Sequence, residues 1–501
     1  MRKNTSKILV GAILALALLL PGCSKKKGEE PAPPSDPAGA AVEGALSPAA
    51  AGGTAATAAA PGGAEAPSGA PSGTAPGGPA GLTEGPAAPA AKVTLVEFPP
   101  VENPAPAGSA WFVVRSFGLV RLDENGFQKI EAPEENIKQI ALAPDGTLWA
   151  IGYQGLYKLQ DGRLSKIGGR RKGADAMAVG PQGDVWLADF TDVAHFDGTA
   201  WTTEPKSALE GVSLFKGLAV DSSGRVWAAS ANAIHSREAD GWKAADLSGL
   251  GEYQFFLESI VAGADGTLYA GEMRGLLKFS DGKWTRVSLG EDTFGWGSAS
   301  QLAIGAGRVV VGYTLGELVG LLPDGRLVQK QWSDEPKGDY LYAMTVDGAG
   351  RIWVSSDAGL AVLPPGGGST PYAPGTIPEV PGRIEMIAIA GGGPALPAVG
   401  EVRTGTVQGS IVKAGQPLAG ATMELCPSPA SMFRETPCTE SPFHLTTKTT
   451  AEGVFTFENV PIGTYGFAVE VNGQWAKSFM EDCCEEMQPG QVYVTGTFEM
   501  D

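Results

Sequence analysis

Only three of the 501 residues are histidine: His195, His235 and His444. That scarcity argues against a multi-histidine metal centre, and no metal or other cofactor is expected. Catalytic signatures are missing too. The chain has no G-x-S-x-G nucleophile elbow, no H-E-x-x-H zinc motif and no phosphate-binding loop. The expectation is a protein that is not an enzyme, the alternative being a lyase or hydrolase built on a Glu or Lys base. Basic residues are outnumbered, 37 Lys+Arg against 55 Asp+Glu, for a formal charge of −18. Without a basic footprint, nucleic acid is not an expected partner. No stretch reaches eighteen consecutive apolar residues, so no transmembrane helix is expected.

Glycine and proline are abundant instead, at 71 and 38 residues, which disfavours a mostly helical chain. The start of the chain has its own pattern. Arg2, Lys3 and Lys7 precede an apolar run from Ile8 to Leu20, too short to span a bilayer, and Leu20-Pro21-Gly22-Cys23 follows. This run resembles a bacterial lipoprotein signal peptide (1–22). The resemblance implies cleavage before Cys23, acylation of its thiol, and attachment to a membrane through the lipid. Ser24 in place of Asp implies the outer membrane of a cell envelope. Residues 31–92 hold Ala, Gly, Pro, Ser or Thr at 54 of 62 positions and no aromatic. Such a stretch cannot bury a core, so 23–92 reads as a disordered spacer. Its flexible span is about 45 Å, and its fully extended reach is roughly 210 Å.

The middle of the chain repeats. A turn glycine followed three residues later by an aromatic or apolar residue recurs seven times, at Gly108/Trp111, Gly146/Trp149, Gly183/Trp186, Gly224/Trp227, Gly266/Tyr269, Gly307/Val310 and Gly350/Trp353. Intervals of 37 to 43 residues suit one four-stranded propeller blade. Asp-Gly pairs such as Asp161-Gly162 and Asp281-Gly282 mark hairpins, because the turn needs positive φ. Blade one lacks a first strand before Gly108. The missing pattern comes after blade seven, at Ile384 to Ala390, and is expected to return and close the ring. Val93 to Phe98 reads as a further strand on the outside of blade seven. The repeated Trp residues are expected to pack between neighbouring sheets. The runs PDGTLWAIGYQGLYKL and DGAGRIWVSSDAGLAVL resemble the two-component regulator propeller family, over roughly residues 105–391. That resemblance implies an extracytoplasmic sensor-like propeller. A propeller lyase that degrades streptogramins shares the strand pattern. Its chemistry implies a histidine at the channel face, whereas His195 and His235 fall in third strands.

From about Gly400 the pattern changes to G-Q-P-L-A-G-A, then G-V-F-T-F and V-P-I-G-T-Y. This resembles the carboxypeptidase regulatory-like, transthyretin-like β-sandwich family, which implies an accessory or binding module. The expected fold is therefore all-β: a seven-bladed β-propeller over 93–399 and a small β-sandwich over 400–501, preceded by a signal peptide and spacer. Cys426, Cys438, Cys483 and Cys484 all lie in the sandwich, and export favours disulfides. Three pairings are possible. The favoured one joins Cys426 and Cys438 to the Cys483/Cys484 pair, with a single Cys426–Cys438 bridge as the alternative.

Loops between second and third strands, and between blades, fall on one face of a propeller, and the tight Asp-Gly turns on the other. The first set carries the candidate ligand-binding residues Phe117, Tyr153, Arg170, Arg171, Phe190, Arg274, Phe294, Trp296, Trp332 and Tyr340. Aromatics beside glycine with a few arginines suit stacking and charge-assisted hydrogen bonds. The expected role is a binding or scaffold protein recognising a glycan, a peptide, or an envelope or extracellular protein. A structural subunit of an envelope complex is the other reading.

Overall fold

A computed structural model describes residues 98–500, apart from 135, 170–173, 213, 251–255, 264, 273–274, 288, 290–298, 314–316, 332–339, 430–434, 440, 478–482 and 485–486. Every blade is a four-stranded antiparallel sheet, and the described residues form seven such blades. Blade two shows the plan, with strands Ile137–Leu142, Leu148–Gly152, Gly155–Gln160 and Arg163–Lys166 running from the centre outward. The innermost strands of successive blades neighbour one another around a closed ring. Second strands such as AWFVV and LWAIG are buried at every position. Their runs are apolar rather than alternating because each blade is covered on both faces by its neighbours.

The ring closes on blade one as expected. Ile384–Ile389 forms its innermost strand, with Ala110 opposite Ile389 and Trp111 opposite Ala388. The hairpins follow the turn chemistry: Asp161 and Gly162 both have positive φ, as do Asp281 and Gly282. Trp111, Trp149, Trp186, Trp227 and Trp353 are all buried between sheets. In three blades the indole N–H donates to an aspartate of the first turn: Trp186 to Asp184, Trp227 to Asp221 and Trp353 to Asp347, at 2.9–3.0 Å.

Of the strand expected at 93–98, residues 93–97 lie outside the described residues. Phe98 lies outside any strand and inserts its ring into the apolar cluster between blades six and seven. The Arg308 guanidinium donates to the Pro99 carbonyl at 2.8 Å and Ala105 N–H to the Gly348 carbonyl. The chain therefore enters across the face of tight turns.

Two further four-stranded sheets make the C-terminal β-sandwich. One holds Thr404–Lys413, Gln416–Pro417, Val454–Pro461 and Val492–Met500; the other holds Thr422–Cys426, Leu445–Lys448, Gly466–Val471 and Gln474–Lys477. Phe455, Phe457, Phe467 and Phe498 pack between them. The favoured disulfide pairing is overturned. Cys426 bonds to Cys438, and Cys483 bonds to its neighbour Cys484. The physical reason is placement: Cys438 lies in the loop that folds back over the end of strand Thr422–Cys426, its N–H held by Glu424. Cys483 is held across the neighbouring strand, in a backbone bridge with Tyr465, next to the Gly466 that pairs with Cys426.

Candidate functional site

In six of the seven blades the innermost strand carries one extra residue, a β-bulge, near its first end. The register skips Lys138, Lys216, Glu258, Ser300, Tyr342 and Glu385 in six blades. In blade three Asp175 occupies the same place, its N–H bonded to the Ala188 carbonyl just before the ladder begins. A bulge re-aims a side chain that regular pleating would bury. Here it delivers charge of alternating sign to the mouth of the central channel over five blades, from Glu385 through Lys138, Asp175 and Lys216 to Glu258, the other two positions being Ser300 and Tyr342. Lys138 pairs with Asp175 at 3.7 Å and Lys216 with Glu258 at 3.0 Å, each across neighbouring blades. Glu385 meets Arg115 at 3.2 Å and Arg383 at 3.5 Å. These pairs are part-exposed and worth little as stabilisers, about 0–1 kcal/mol each.

Outside this ring stand aromatics. Tyr153 and Phe190 are 64% and 67% exposed, Phe256 46% and Tyr340 44%, and all four lie in the loops of this one face. They are also the only exposed large aromatics among the described residues. Phe117 lies on the same face, half-buried. Lysines cover three of the rings: Lys129 over Phe117 at 4.0 Å, Lys138 over Tyr153 at 4.7 Å and Lys206 over Phe190 at 5.1 Å. Carboxylates fix the turns beneath. Glu134 accepts from the N–H groups of Tyr153 and Gln154 and from the Tyr157 hydroxyl. Asp189 accepts from the N–H groups of Thr191 and Asp192 and so holds the turn around Phe190.

Of the residues picked from the sequence, Phe117, Tyr153, Phe190 and Tyr340 share this face. Cys23, Arg170, Arg171, Arg274, Phe294, Trp296 and Trp332 lie outside the described residues. Sequence reasoning missed the bulge ring and Phe256.

The sandwich docks on the same face, over blades seven and one. Tyr342, the bulged residue of blade seven, is bonded through its hydroxyl to Asp357 of the same blade and to Ser428 of the sandwich at 2.7 Å. Ser428 also donates to Asp357 at 3.1 Å. Burial, then the Asp357 carboxylate, hold the Tyr342 phenol well above its usual range. The Thr464 hydroxyl accepts from Arg383 N–H, and Arg403 reaches the Gly375 and Ile377 carbonyls. The sandwich thus covers one sector of the mouth, while Tyr153 of blade two, Phe190 of blade three and Phe256 at the start of blade five stay exposed.

No family model and no curated protein sequence matches the chain. Solved structures of similar fold include a virginiamycin B lyase from Staphylococcus aureus, 12% identical, covering 52% of this chain and 90% of the lyase, with a TM-score of 0.41. Another is the extracellular domain of a hybrid two component system from B. thetaiotaomicron, 12% identical over 80% of this chain and 56% of that one, with a TM-score of 0.42. A third is the extracellular domain of a one component system from the same organism, 14% identical over 49% of this chain and 34% of that one, with a TM-score of 0.38.

Proposed function

We propose that this chain is a non-catalytic, membrane-anchored binding protein. It takes a polypeptide segment of an envelope or extracellular partner across the open sector of its loop face. The sandwich, read as a carboxypeptidase regulatory-like module, serves as the accessory wall of that site. The observation that carries the reading is the collection of every exposed large aromatic among the described residues onto one face, around a mouth of alternating charge. Tyrosine and phenylalanine presented on rigid turns contribute contact area with little entropy to lose. Lys138, Asp175, Lys216 and Glu258 offer charge of both signs, which suits a segment carrying both acidic and basic side chains. Acylation at Cys23 supplies the anchor in this reading.

The test is a crosslinking pull-down of the lipidated protein from its own cells, beside a folded Tyr153→Ala, Phe190→Ala double variant. A stoichiometric partner present with the parent and lost with the variant is expected. The same partner recovered equally with both would overturn the assignment to this face.

A further inference from the structure

A strand at the edge of a sheet offers its spare N–H and C=O groups to any other strand, and proteins blunt such edges with lysine, other charges or proline. This molecule does so almost everywhere. The outermost strand of each blade holds a lysine, an arginine or a proline, from Lys129 in blade one to Pro371 in blade seven. At the other edges of the sandwich Pro417, Lys448, Pro461 and Lys477 serve the same purpose. The strand Val492–Met500 is the exception among the described residues. It pairs with Thr404–Lys413 alone and has no lysine, arginine or proline.

Its first part is an open template. The Thr406 N–H donates to the Gln491 carbonyl, and Thr406 lies opposite Val492. By the alternation of a parallel ladder, the N–H and C=O of Val492 and Val494 therefore point away from the sheet. Both side chains are exposed, at 58% and 66%, whereas Tyr493 between them packs on the core. The flat stretch ends at a bulge after Val494, where Gly496 has positive φ, and the strand's one charge, Glu499, lies beyond it. The uncharged template is thus 491–495.

Placement decides what can pair there. Gly490 donates to the Thr404 carbonyl, and the neighbouring Arg403 bonds the propeller at Gly375 and Ile377. A second copy pairing antiparallel at 491–495 would drive the rest of its own sandwich past that junction into the propeller. The chain's own spacer is Ala-, Gly- and Pro-rich, a poor strand former. A single extended segment, without a bulky domain at its end, has room.

We infer that the edge at 491–495 is a strand-addition site for an extended segment of another polypeptide. Backbone hydrogen bonds to Val492 and Val494 hold it, and apolar or β-branched side chains at alternate positions pack beside the two valines. The site does not depend on the loop-face reading, and its residues are separate from those tested there.

Hydrogen exchange of the full chain, read by mass spectrometry over 490–496, tests it. The probes are the capped peptide Lys-Thr-Val-Thr-Val-Thr-Lys and its counterparts with Ile or Tyr in place of Val. At roughly 1 mM peptide, ten times a dissociation constant of about 0.1 mM, two amides are expected to slow about tenfold with at least one probe. Val494→Lys blunts the edge at an exposed position. It is expected to weaken peptide binding about tenfold or more while the chain melts as the parent does. The Tyr153→Ala, Phe190→Ala variant is expected to bind the peptide as the parent does. No slowing with any of the three peptides, or equal slowing in Val494→Lys, overturns the inference. So does self-association in sedimentation velocity that Val494→Lys abolishes, which would give the edge to a second copy.

Discussion

Among single residues, His235 shows how strongly blade packing constrains chemistry. Its ring is 1% exposed, packed inside the blade beside Glu210. Burial pushes its imidazole below the usual value of 6.5. In the unfolded chain the same ring takes a proton near 6.5. Below that pH the unfolded state therefore binds more protons, and stability is lost as pH falls from 6.5 through the lower folded value. Acidification from pH 7.5 to 5 is expected to lower the melting temperature of the parent more than that of a His235→Leu variant. Thermal melts at the two pH values check this, and equal slopes would count against it. The sequence placed this histidine in a third strand, but that position alone did not show its burial, since His195 in the third strand of the preceding blade is part-exposed. Repeat position did place the Trp residues. A large ring at a fixed place in every repeat has only the neighbouring sheet to pack on.

For the elements, the repeat was legible because its punctuation is conformational. Gly146, Gly183, Gly224 and Gly350 all have positive φ, which glycine adopts without strain, so the turns had to recur. Closure was legible because Ile384–Ile389 carries the apolar pattern that blade one lacked. Gly108 marks the seam for another reason. A Cβ there would lie 2.1 Å from the Ala390 carbonyl oxygen. Gly108→Ala is expected to push the closing strand outward and cost about 1–3 kcal/mol, read from a urea midpoint. The bulge ring was not legible. Its seven positions hold Lys, Asp, Lys, Glu, Ser, Tyr and Glu, so the site is defined by backbone register rather than by residue type. Phe256 was hidden differently: it directly follows Phe255 and precedes Leu257, and reads as part of a strand's apolar run. Disulfide pairing was also beyond reach, since it depends on where loops fold back and not on spacing.

At the scale of the molecule, the docking of the sandwich on the propeller's loop face had no signal in the sequence. It rests on few groups, chiefly Tyr342, Asp357, Ser428, Arg383 and Thr464. Tyr342→Phe removes two of these bonds from a buried site, at a cost of about 1–3 kcal/mol. The expected outcome is faster proteolytic cleavage within 391–403, the segment that joins the two folded parts, with the propeller's own urea midpoint unchanged. Limited proteolysis followed by mass spectrometry reads the cut site, and an unchanged cleavage rate would remove Tyr342 from the docking account.

The path of the chain onto the propeller has a mechanical consequence. Phe98, Pro99 and Ala105 are tied to the turn face, and the strand Ala110–Val114 then runs through blade one toward the loop face. If a partner grips the loop face while the N-terminal end is held, tension passes along that strand. Its antiparallel neighbours on both sides, Ile384–Ile389 and Gly118–Asp123, are loaded in shear, so that many hydrogen bonds share the force at once. A pull in that direction cannot peel the ring open one bond at a time.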